Sequence, residues 1–178
     1  MARFGRVACI LTAAALLVAA APPEQAGEAI PAAPLQQAAL DASYAYLAAK
    51  DRGDYAAAYR SIDADMRAYL TPDLYREEAA KFNAGAGTPE GRRVVRLTWY
   101  RDPPEAKRPG LYVAADFVSR FSGLALHCGY LMWRIDGKDS FRLVREEQNF
   151  LDAATAKQMP PERFSAVPRQ LGCLAPPA

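Results

Sequence analysis

The spacing of apolar residues changes once along this chain, and that change limits the folds it can adopt. Before residue 92, apolar residues recur three or four positions apart, as they do on one face of an α-helix. From Arg92 onward they alternate with polar residues, which is the pattern of strands with one buried face. Helices followed by strands predict an α+β domain in which N-terminal helices cover one face of an antiparallel sheet.

Three helices are predicted in the first half of the chain. The first begins near Leu35 and stops at Gly53. The second starts after Asp54 as its N-cap, and the third starts at Thr71-Pro72, a hydroxyl cap followed by a proline suited to the first turn. The apolar faces predicted for these helices are Leu40, Tyr44 and Leu47, then Tyr55, Tyr59, Ile62 and Met66, then Leu74, Ala79 and Phe82.

Four strands are predicted in the second half. Short connections between them, including the hairpin turn Asp136-Gly137, imply an antiparallel meander. A curved four-stranded sheet wrapped over helices forms a cone, and such a cone can hold a pocket. The strands are expected at 92–101, 111–121, 124–135 and 141–150. The residues expected on one face are Val95, Leu97 and Trp99 of the first strand and Leu111, Val113, Ala115, Phe117, Ser119 and Phe121 of the second.

The first 20 residues have the anatomy of a secretory signal peptide. Arg3 and Arg6 precede an apolar run from Val7 to Ala21, about 15 residues long and short of the ~20 that span a bilayer. Small residues at the end of the run favour cleavage after Ala20. The alternative is an uncleaved anchor. We therefore expect a periplasmic or secreted protein that meets a membrane only through the transient signal peptide.

Proline content and cysteine count describe the rest of the chain. Residues 21–34 are rich in proline and alanine and predict a flexible leader, residues 35–152 predict the domain, and the proline-rich residues 153–178 predict an extended tail. Cys9 leaves with the signal peptide, so Cys128 and Cys173 remain. In an oxidising compartment they predict a disulfide that ties the tail to the sheet. The alternative is two free thiols.

Charge excludes some partners. Removal of Arg3 and Arg6 leaves as many basic as acidic residues, and a neutral chain lacks the basic surface that nucleic-acid binding requires. No metal-binding or nucleotide-binding motif is present in the sequence, so neither a metal nor a cofactor is expected. The expected partner is an unknown protein or a small apolar ligand, and the sequence leaves a homodimer open.

Several short segments resemble a known family. The run from Gly53 to Tyr59 resembles the helix start of nuclear transport factor two-like (cystatin-like) domains. Over roughly residues 38–150 the chain is similar to the bacterial exported "domain of unknown function 4019" group, which has no established activity. The segments that carry this similarity are Thr71-Pro72, Gly91-Arg92-Arg93, Pro109-Gly110-Leu111-Tyr112-Val113 with Phe117 and Phe121, and Asp136-Gly137 before Phe141-Arg142-Leu143-Val144.

One departure from that group carries the candidate chemistry. Where such domains usually have a plain aliphatic or acidic strand, this chain has Leu126-His127-Cys128-Gly129-Tyr130. His127 is the single histidine, and an acid–base site would pair it with a carboxylate. Asp116 on the neighbouring strand is the weak candidate partner, and Glu146 and Glu147 are other acids near the sheet. The simpler interpretation is a strand histidine beside solvent-facing acids.

Two further sets of residues have both a functional and a structural interpretation. The aromatic residues of helices and strands can line an apolar pocket, but such spacing more often builds a core. The basic residues between Arg92 and Arg108 can bind an anion, but their alternation is typical of an exposed face. We therefore expect a non-enzymatic binding or scaffold module. The alternative is a small-molecule enzyme of the isomerase or dehydratase type, with an acid–base pocket in the cone.

Overall fold

The computed structural model describes residues 30–137 and 140–173. The predicted signal peptide and most of the predicted leader lie outside these residues. Within them, helices precede a four-stranded antiparallel sheet, so the predicted α+β fold is confirmed. The elements are α1 (Ala33–Asp51), α2 (Tyr55–Arg60), α3 (Ala64–Arg67), α4 (Pro72–Ala86), β1 (Pro89–Arg101), β2 (Leu111–Phe121), β3 (Leu124–Asp136), β4 (Ser140–Asp152), α5 (Ala153–Lys157) and α6 (Pro161–Gln170).

The helix boundaries follow the predicted capping residues. Gly53 adopts a φ of 74° after the last turn of α1, a conformation that glycine reaches without the steric cost of a Cβ. The Asp54 side chain accepts a hydrogen bond from the backbone N–H of Ala57, and the Thr71 side chain accepts one from Leu74. Side-chain oxygens thus satisfy backbone donors that the first turns of α2 and α4 leave free.

The sheet is a meander of order β1-β2-β3-β4, curved but not closed. Its ladders contain register shifts, for example between Val94 and Arg96 in β1 and between Met132 and Trp133 in β3. Such bulges bend a strand and increase its twist. The shift in β1 also changes which residue faces inward, because Val94 pairs with Phe117 and packs against the core where Val95 was predicted to do so.

The helices α1, α2 and α4 cover one face of this sheet, here called the inner face. Four of the six predicted inward residues of β2 are confirmed with at most 4 % of their surface exposed, and the other two, Leu111 and Ser119, are half-buried. On β3 the same face carries Leu131 and Trp133, which pair with Ala115 and Val113. The largest side chains buried in the core are Trp133, Tyr46, Phe117, Leu47, Ile62, Leu131 and Leu143.

The buried face of α1 differs from the predicted one. Tyr44 is 40 % exposed, and its hydroxyl accepts a hydrogen bond from the Val94 N–H on β1. Of the predicted stripe, Leu47 is buried and Leu40 is half-buried, so the prediction fails at Tyr44. It also misses two polar residues, Ser43 and Lys50, which lie inside the fold although a hydrophobic pattern does not include them. The residues that α1 buries are Ala39, Ser43, Tyr46, Leu47, Ala49 and Lys50.

The predicted second helix is split into α2 and α3. Between them Ile62 forms a parallel bridge with Leu143 of β4. The Asp63 N–H donates to the Leu143 carbonyl at 2.8 Å, and the Leu143 N–H donates to the Ser61 carbonyl at 2.8 Å. Residues 61–63 therefore satisfy backbone groups on the free edge of β4, an edge that would otherwise be open to pairing with another chain.

The predicted extended tail is wrong, because residues 153–170 form α5 and α6. The proline at residue 161 occupies the first turn of α6, where its missing N–H costs no hydrogen bond. Cys173, which follows α6, is disulfide-bonded to Cys128 with a Cα–Cα distance of 5.5 Å. Cys128 pairs with Val118 and Asn149, so the bond holds α6 on the outer face of the sheet. There Asn149 Nδ2 also donates to the Leu171 carbonyl at 3.1 Å.

Candidate functional site

An open cleft of about 630 Å³ lies between α4 and the inner face of β4. We call it the α4–β4 cleft. Its walls are mostly apolar, and acidic and basic side chains lie among them, a combination typical of small-molecule sites. The residues that line it are Lys50, Met66, Leu70, Tyr75, Glu78, Ala79, Lys81, Phe82, Gly85, Ala86, Leu124, Glu146, Gln148, Phe150 and Asp152.

The polar side chains of the cleft come from three elements, α1, β4 and α4. The spacing of residues within α1 and within β4 places their polar side chains on one side of each element. Tyr46 and Lys50 are four residues apart on α1 and so lie on one helical face. Glu146 and Gln148 are two residues apart on β4 and both point inward, since they pair with Leu131 and Gly129 of β3. Tyr75, in the first turn of α4, completes the set.

Tyr46, Lys50, Tyr75 and Glu146 form a continuous chain of hydrogen bonds, here called the tyrosine network. The Tyr75 hydroxyl donates to the Tyr46 hydroxyl at 2.9 Å, and the Tyr46 hydroxyl donates to Glu146 Oε2 at 2.6 Å. Lys50 Nζ donates to Glu146 Oε1 at 2.5 Å. The Lys50 side chain is 3 % exposed and that of Glu146 is 14 % exposed, so this ion pair is largely removed from water.

Burial fixes the protonation of both tyrosines. It raises the pKa of Tyr46 well above its ordinary value, and the nearby Glu146 carboxylate adds to the effect. Burial also raises the pKa of Tyr75. Removal from water disfavours the phenolate, so both side chains are neutral phenols at pH 7 and act as hydrogen-bond donors. Each phenol has a defined acceptor, and the network holds Glu146 in one orientation.

A contact from α4 fixes the end of α1 beside this network. Asn83 Nδ2 donates to the Lys50 carbonyl at 2.7 Å and lies 3.1 Å from the Tyr55 hydroxyl. The two helices that contribute Lys50 and Tyr75 are thereby joined through backbone as well as side chains. This anchoring keeps the cleft wall and the network in a fixed relation.

His127 lies on the inner face of β3, farther from the cleft opening, in what we call the aromatic cage. The ring centroids of Phe82, Phe117 and Phe121 are 5.2, 5.5 and 5.3 Å from that of the imidazole. His127 Nε2 lies 3.1 Å from Gln148 Oε1. Burial, together with the charge of Arg92, lowers the pKa of His127 to about 4, so the ring is neutral at pH 7.

The structure does not bring His127 and Asp116 together. Asp116 pairs with Tyr130, whereas His127 pairs with Ser119, and neighbouring residues of a strand point to opposite faces. Asp116 lies on the outer face and accepts a hydrogen bond from Arg96 Nε at 3.0 Å. The predicted pairing of the two residues is therefore wrong, and the acid on the inner face is Glu146.

One of the basic residues predicted to be exposed turns inward. Arg92 Nη2 and Nε bind the Asp51 carboxylate at 2.6 and 2.7 Å, and its side chain is 7 % exposed. The guanidinium also lies 4.9 Å from the ring centroid of Phe121, a cation–π contact. Arg92 therefore closes the aromatic cage at the β1 side and joins β1 to α1.

A family comparison matches this chain. The model of the family described as "Protein of unknown function (DUF4019)" matches residues 42–145, which is more than half of the chain. The chain belongs to the DUF4019 family. The matched part of the DUF4019 domain includes every residue of the tyrosine network except Glu146, which follows it directly. No curated protein and no solved structure matches the chain.

Residues 30–137 and 140–173 contain neither a metal site nor a membrane-spanning helix. They have no cluster of three or more His, Cys, Asp or Glu side chains able to hold a metal ion. None of their helices is long and apolar enough to cross a membrane. A second cavity, of about 320 Å³, adjoins α3 and the β1–β2 loop, and the Asp63–Arg134 ion pair (2.7 Å) lies beside it.

The sequence predicts the sheet of this site but not most of its residues. Tyr46 belongs to the aromatic residues with two interpretations and Glu146 to the acids near the sheet, whereas Lys50, Tyr75 and Gln148 are absent from the sequence-based prediction. One signal was available: Lys50 follows Tyr46 by four residues on a predicted helix. A lysine in line with a buried aromatic residue indicates a charge that needs a partner inside the fold.

Proposed function

We propose that this protein is an exported binding module that holds a small molecule in the α4–β4 cleft without transforming it. The observation that carries the proposal is the combination of an open cavity of about 630 Å³ and a fixed polar network at its side. Ligand sites in proteins commonly join apolar walls to a few well-placed polar groups. We also propose that the domain is of the nuclear transport factor two-like type, since helices covered by a curved sheet support that resemblance.

Binding is favoured over acid–base catalysis by the state of the titratable groups. His127 faces an amide instead of a carboxylate and is enclosed by phenyl rings. Both oxygens of Glu146 already accept hydrogen bonds, from Tyr46 and Lys50. A general base needs access to the proton that it removes. His127 lacks this access, and both Glu146 oxygens are engaged by groups of the protein itself.

Export is supported by the disulfide between Cys128 and Cys173. Disulfides persist in oxidising compartments and are rare in the cytosol. The signal-peptide pattern of residues 1–20 points in the same direction. N-terminal sequencing of protein recovered from an expressing bacterium tests this part of the proposal, and a mature chain that still begins at residue 1 or 2 would contradict it.

A fragment screen tests the cleft. Ala79 is a buried cleft-wall residue on α4, so Ala79→Trp fills the cavity, while Ala84→Trp places the same ring at an exposed position of the same helix. Apolar fragments that bind should raise the melting temperature of the wild type and of Ala84→Trp but not of Ala79→Trp. At a concentration of 100 times Kd the stabilisation is about 2.7 kcal/mol. Because Ala79→Trp can disturb folding, the exposed cleft residue Phe150, changed to Ser, serves as a second variant. Fragments that raise the melting temperature of both variants as much as that of the wild type would show that the cleft is not the binding site.

The enzyme alternative has one observation in its favour, which is the Glu146 carboxylate beside Lys50 and two neutral tyrosines. Such a set can exchange protons with a ligand if the ligand displaces one of the hydrogen bonds. Any turnover of a fragment found in the screen should then be lost in Glu146→Gln while binding is retained. Turnover of a hit by the wild type would replace the binding hypothesis with the enzymatic one.

A further inference from the structure

We infer that the α4–β4 cleft takes an uncharged, mainly apolar molecule with one acceptor oxygen of the ketone, ester or amide type, and that Lys50 and Gln148 donate hydrogen bonds to it. The inference rests on the proposed function, since it assumes that the cleft binds a small molecule. It adds the chemical class of that molecule.

The first step is the count of unused donors at the cleft. The Lys50 ammonium has three N–H donors, and among the described residues its one hydrogen-bond acceptor is Glu146. Gln148 uses Oε1 toward His127 Nε2, and the two N–H groups of its own amide have no acceptor within the described part of the chain. Both side chains line the cleft. Two separate elements, α1 and β4, thus direct free donors to one cavity.

The acceptors of the site are used more fully. Each oxygen of Glu146 already accepts one hydrogen bond, and the Tyr46 hydroxyl both donates and accepts. A ligand that supplies an acceptor therefore matches what the protein leaves free. A ligand that supplies only donors would leave the free N–H groups of Lys50 and Gln148 without an acceptor. Since an unpaired buried donor costs about 1–3 kcal/mol, the acceptor is favoured.

The charges at the cleft favour a ligand without charge of its own. Glu146 neutralises Lys50 within the site. The other charged lining residues are Glu78, Lys81 and Asp152, so the lining as a whole has one negative charge in excess. An anion would lie beside the Glu146 carboxylate. A cation would lie beside the Lys50 ammonium, and burying either charge without a partner is costly.

The apolar walls of the cleft determine which ligand skeleton fits. Five lining residues have side chains suited to an aliphatic or aromatic skeleton: Met66, Leu70, Phe82, Leu124 and Phe150. A cavity of about 630 Å³ lies within the range of sites that hold drug-sized ligands. A bicyclic aromatic ketone fits this description and provides a fluorescent probe.

Three probes of nearly identical shape test the class directly. Each is a dimethylaminonaphthalene, and the ring carries an acetyl, an isopropenyl or a carboxylate group at the same position. The acetyl probe offers a neutral acceptor oxygen, the isopropenyl probe offers none, and the carboxylate probe offers a charged one. We expect the wild type to bind the acetyl probe about tenfold more tightly than the isopropenyl probe, a difference of about 1.4 kcal/mol. The carboxylate probe should bind at least tenfold more weakly than the acetyl probe.

Substitution of Gln148 then tests whether its amide donates a hydrogen bond to the acceptor oxygen of the probe. Gln148→Met removes the amide while keeping the length of the side chain, so it should lower the affinity for the acetyl probe about fivefold and leave that for the isopropenyl probe unchanged. Gln170→Met, the same change at an exposed position of α6 that does not line the cleft, is the matched control and should change neither affinity. An equal loss for both probes would show that Gln148 acts through packing and would overturn its role as donor.

The outcomes separate the ligand class from the proposed function. Isopropenyl or carboxylate binding that equals acetyl binding and is lost in Ala79→Trp would overturn the class and leave the cleft as a binding site. If none of the three probes binds, the class is likewise overturned, and the fragment screen alone decides whether the cleft binds small molecules. Tight acetyl binding that Ala79→Trp does not affect would overturn both.

Discussion

The inner face of the sheet has two regions that bury a titratable side chain in different ways. In the aromatic cage, β3 supplies His127, which is 1 % exposed and has phenyl rings on three sides. At the tyrosine network, β4 supplies Glu146, whose side chain is 14 % exposed and lies beside an open cleft. The two side chains are close in the sheet, since Phe150 and Gln148 on the strand of Glu146 pair with His127 and Gly129.

The difference arises from the residues that face each group. His127 is covered by large side chains from α4 and β2, and its hydrogen-bond partner is an amide, so the neutral ring is the stable form. Glu146 faces a lysine and a tyrosine, so its charge is matched inside the fold. A titratable group enclosed by aromatic rings is held neutral and is inaccessible to a ligand. A group buried with oppositely charged and hydrogen-bonding partners can stay charged beside a cavity. Phe82 belongs to both regions and forms the boundary between them.

The largest expected effect on stability is in the aromatic cage. Phe117→Ala removes a ring that is 1 % exposed and contacts His127. We expect the free energy of unfolding to fall by about 3–5 kcal/mol, as for other fully buried phenylalanines. Urea denaturation measures the change. A loss below about 1 kcal/mol would show that the cage is loosely packed and that the contrast with the cleft is overstated.

A somewhat smaller effect on stability is expected at the tyrosine network. Lys50→Met leaves the Glu146 carboxylate without its cation and should cost about 3 kcal/mol of stability, because a lone buried charge is poorly solvated. The double variant Lys50→Met, Glu146→Leu removes both charges and should recover most of the loss. If the double variant is no more stable than the single one, the ion pair does not account for the effect, and the packing of the Lys50 methylene groups does.

Sequence patterns predicted the frame of this molecule better than its interior. The strands were predicted within a few residues because apolar side chains recur at every second position, as Val113, Ala115 and Phe117 do on β2. The face of α1 was not, because Ser43 and Lys50 are buried with partners that come from the sheet. Ser43 accepts a hydrogen bond from Trp133 Nε1 at 2.9 Å, across 90 residues of sequence. Such a partner has no local signature.

The candidate site shows the same limit. Its residues come from α1, α4 and β4, and the Tyr46–Glu146 hydrogen bond joins positions 100 residues apart. Apart from the four-residue spacing of Tyr46 and Lys50, nothing in the spacing of these residues distinguishes them from ordinary core and surface positions. The C-terminal helices were missed for a different reason. The proline-rich composition of this segment predicts an extended tail, although proline in the first turn is compatible with a helix, as at residue 161 of α6.

The pH dependence of stability offers the next test. The folded protein holds the pKa of His127 at about 4, below its ordinary value of 6.5, because the cage excludes water. The unfolded chain therefore binds this proton more readily than the folded protein does. Stability from this group is complete above pH 6.5 and is lost as the pH falls toward 4, by about 2–3 kcal/mol.

A variant isolates that contribution from those of the carboxylates. His127→Phe places another ring in the cage and removes the titration, so its stability should decline less steeply between pH 6.5 and 4 than that of the wild type. Urea melts at several pH values compare the two proteins. Parallel curves would mean that His127 is accessible to water, in which case the cage and the cleft would not differ as described.

The smallest expected effect on stability separates the two regions most sharply. Phe150 is 53 % exposed at the edge of the cleft and contacts Phe82 at a ring-centroid distance of 5.7 Å. A half-exposed ring contributes little to folding, so Phe150→Ala should lower stability by less than about 1 kcal/mol. If the cleft binds an apolar molecule, however, the same change removes part of its wall and should weaken binding of the acetyl probe several-fold.

Phe117→Ala, measured at a temperature where it is fully folded, is the reverse control, because it should lower stability strongly and change probe affinity little. Should Phe150→Ala leave probe affinity unchanged, the ring would not be part of the binding surface, and the open region would extend no farther than Glu146 and Gln148.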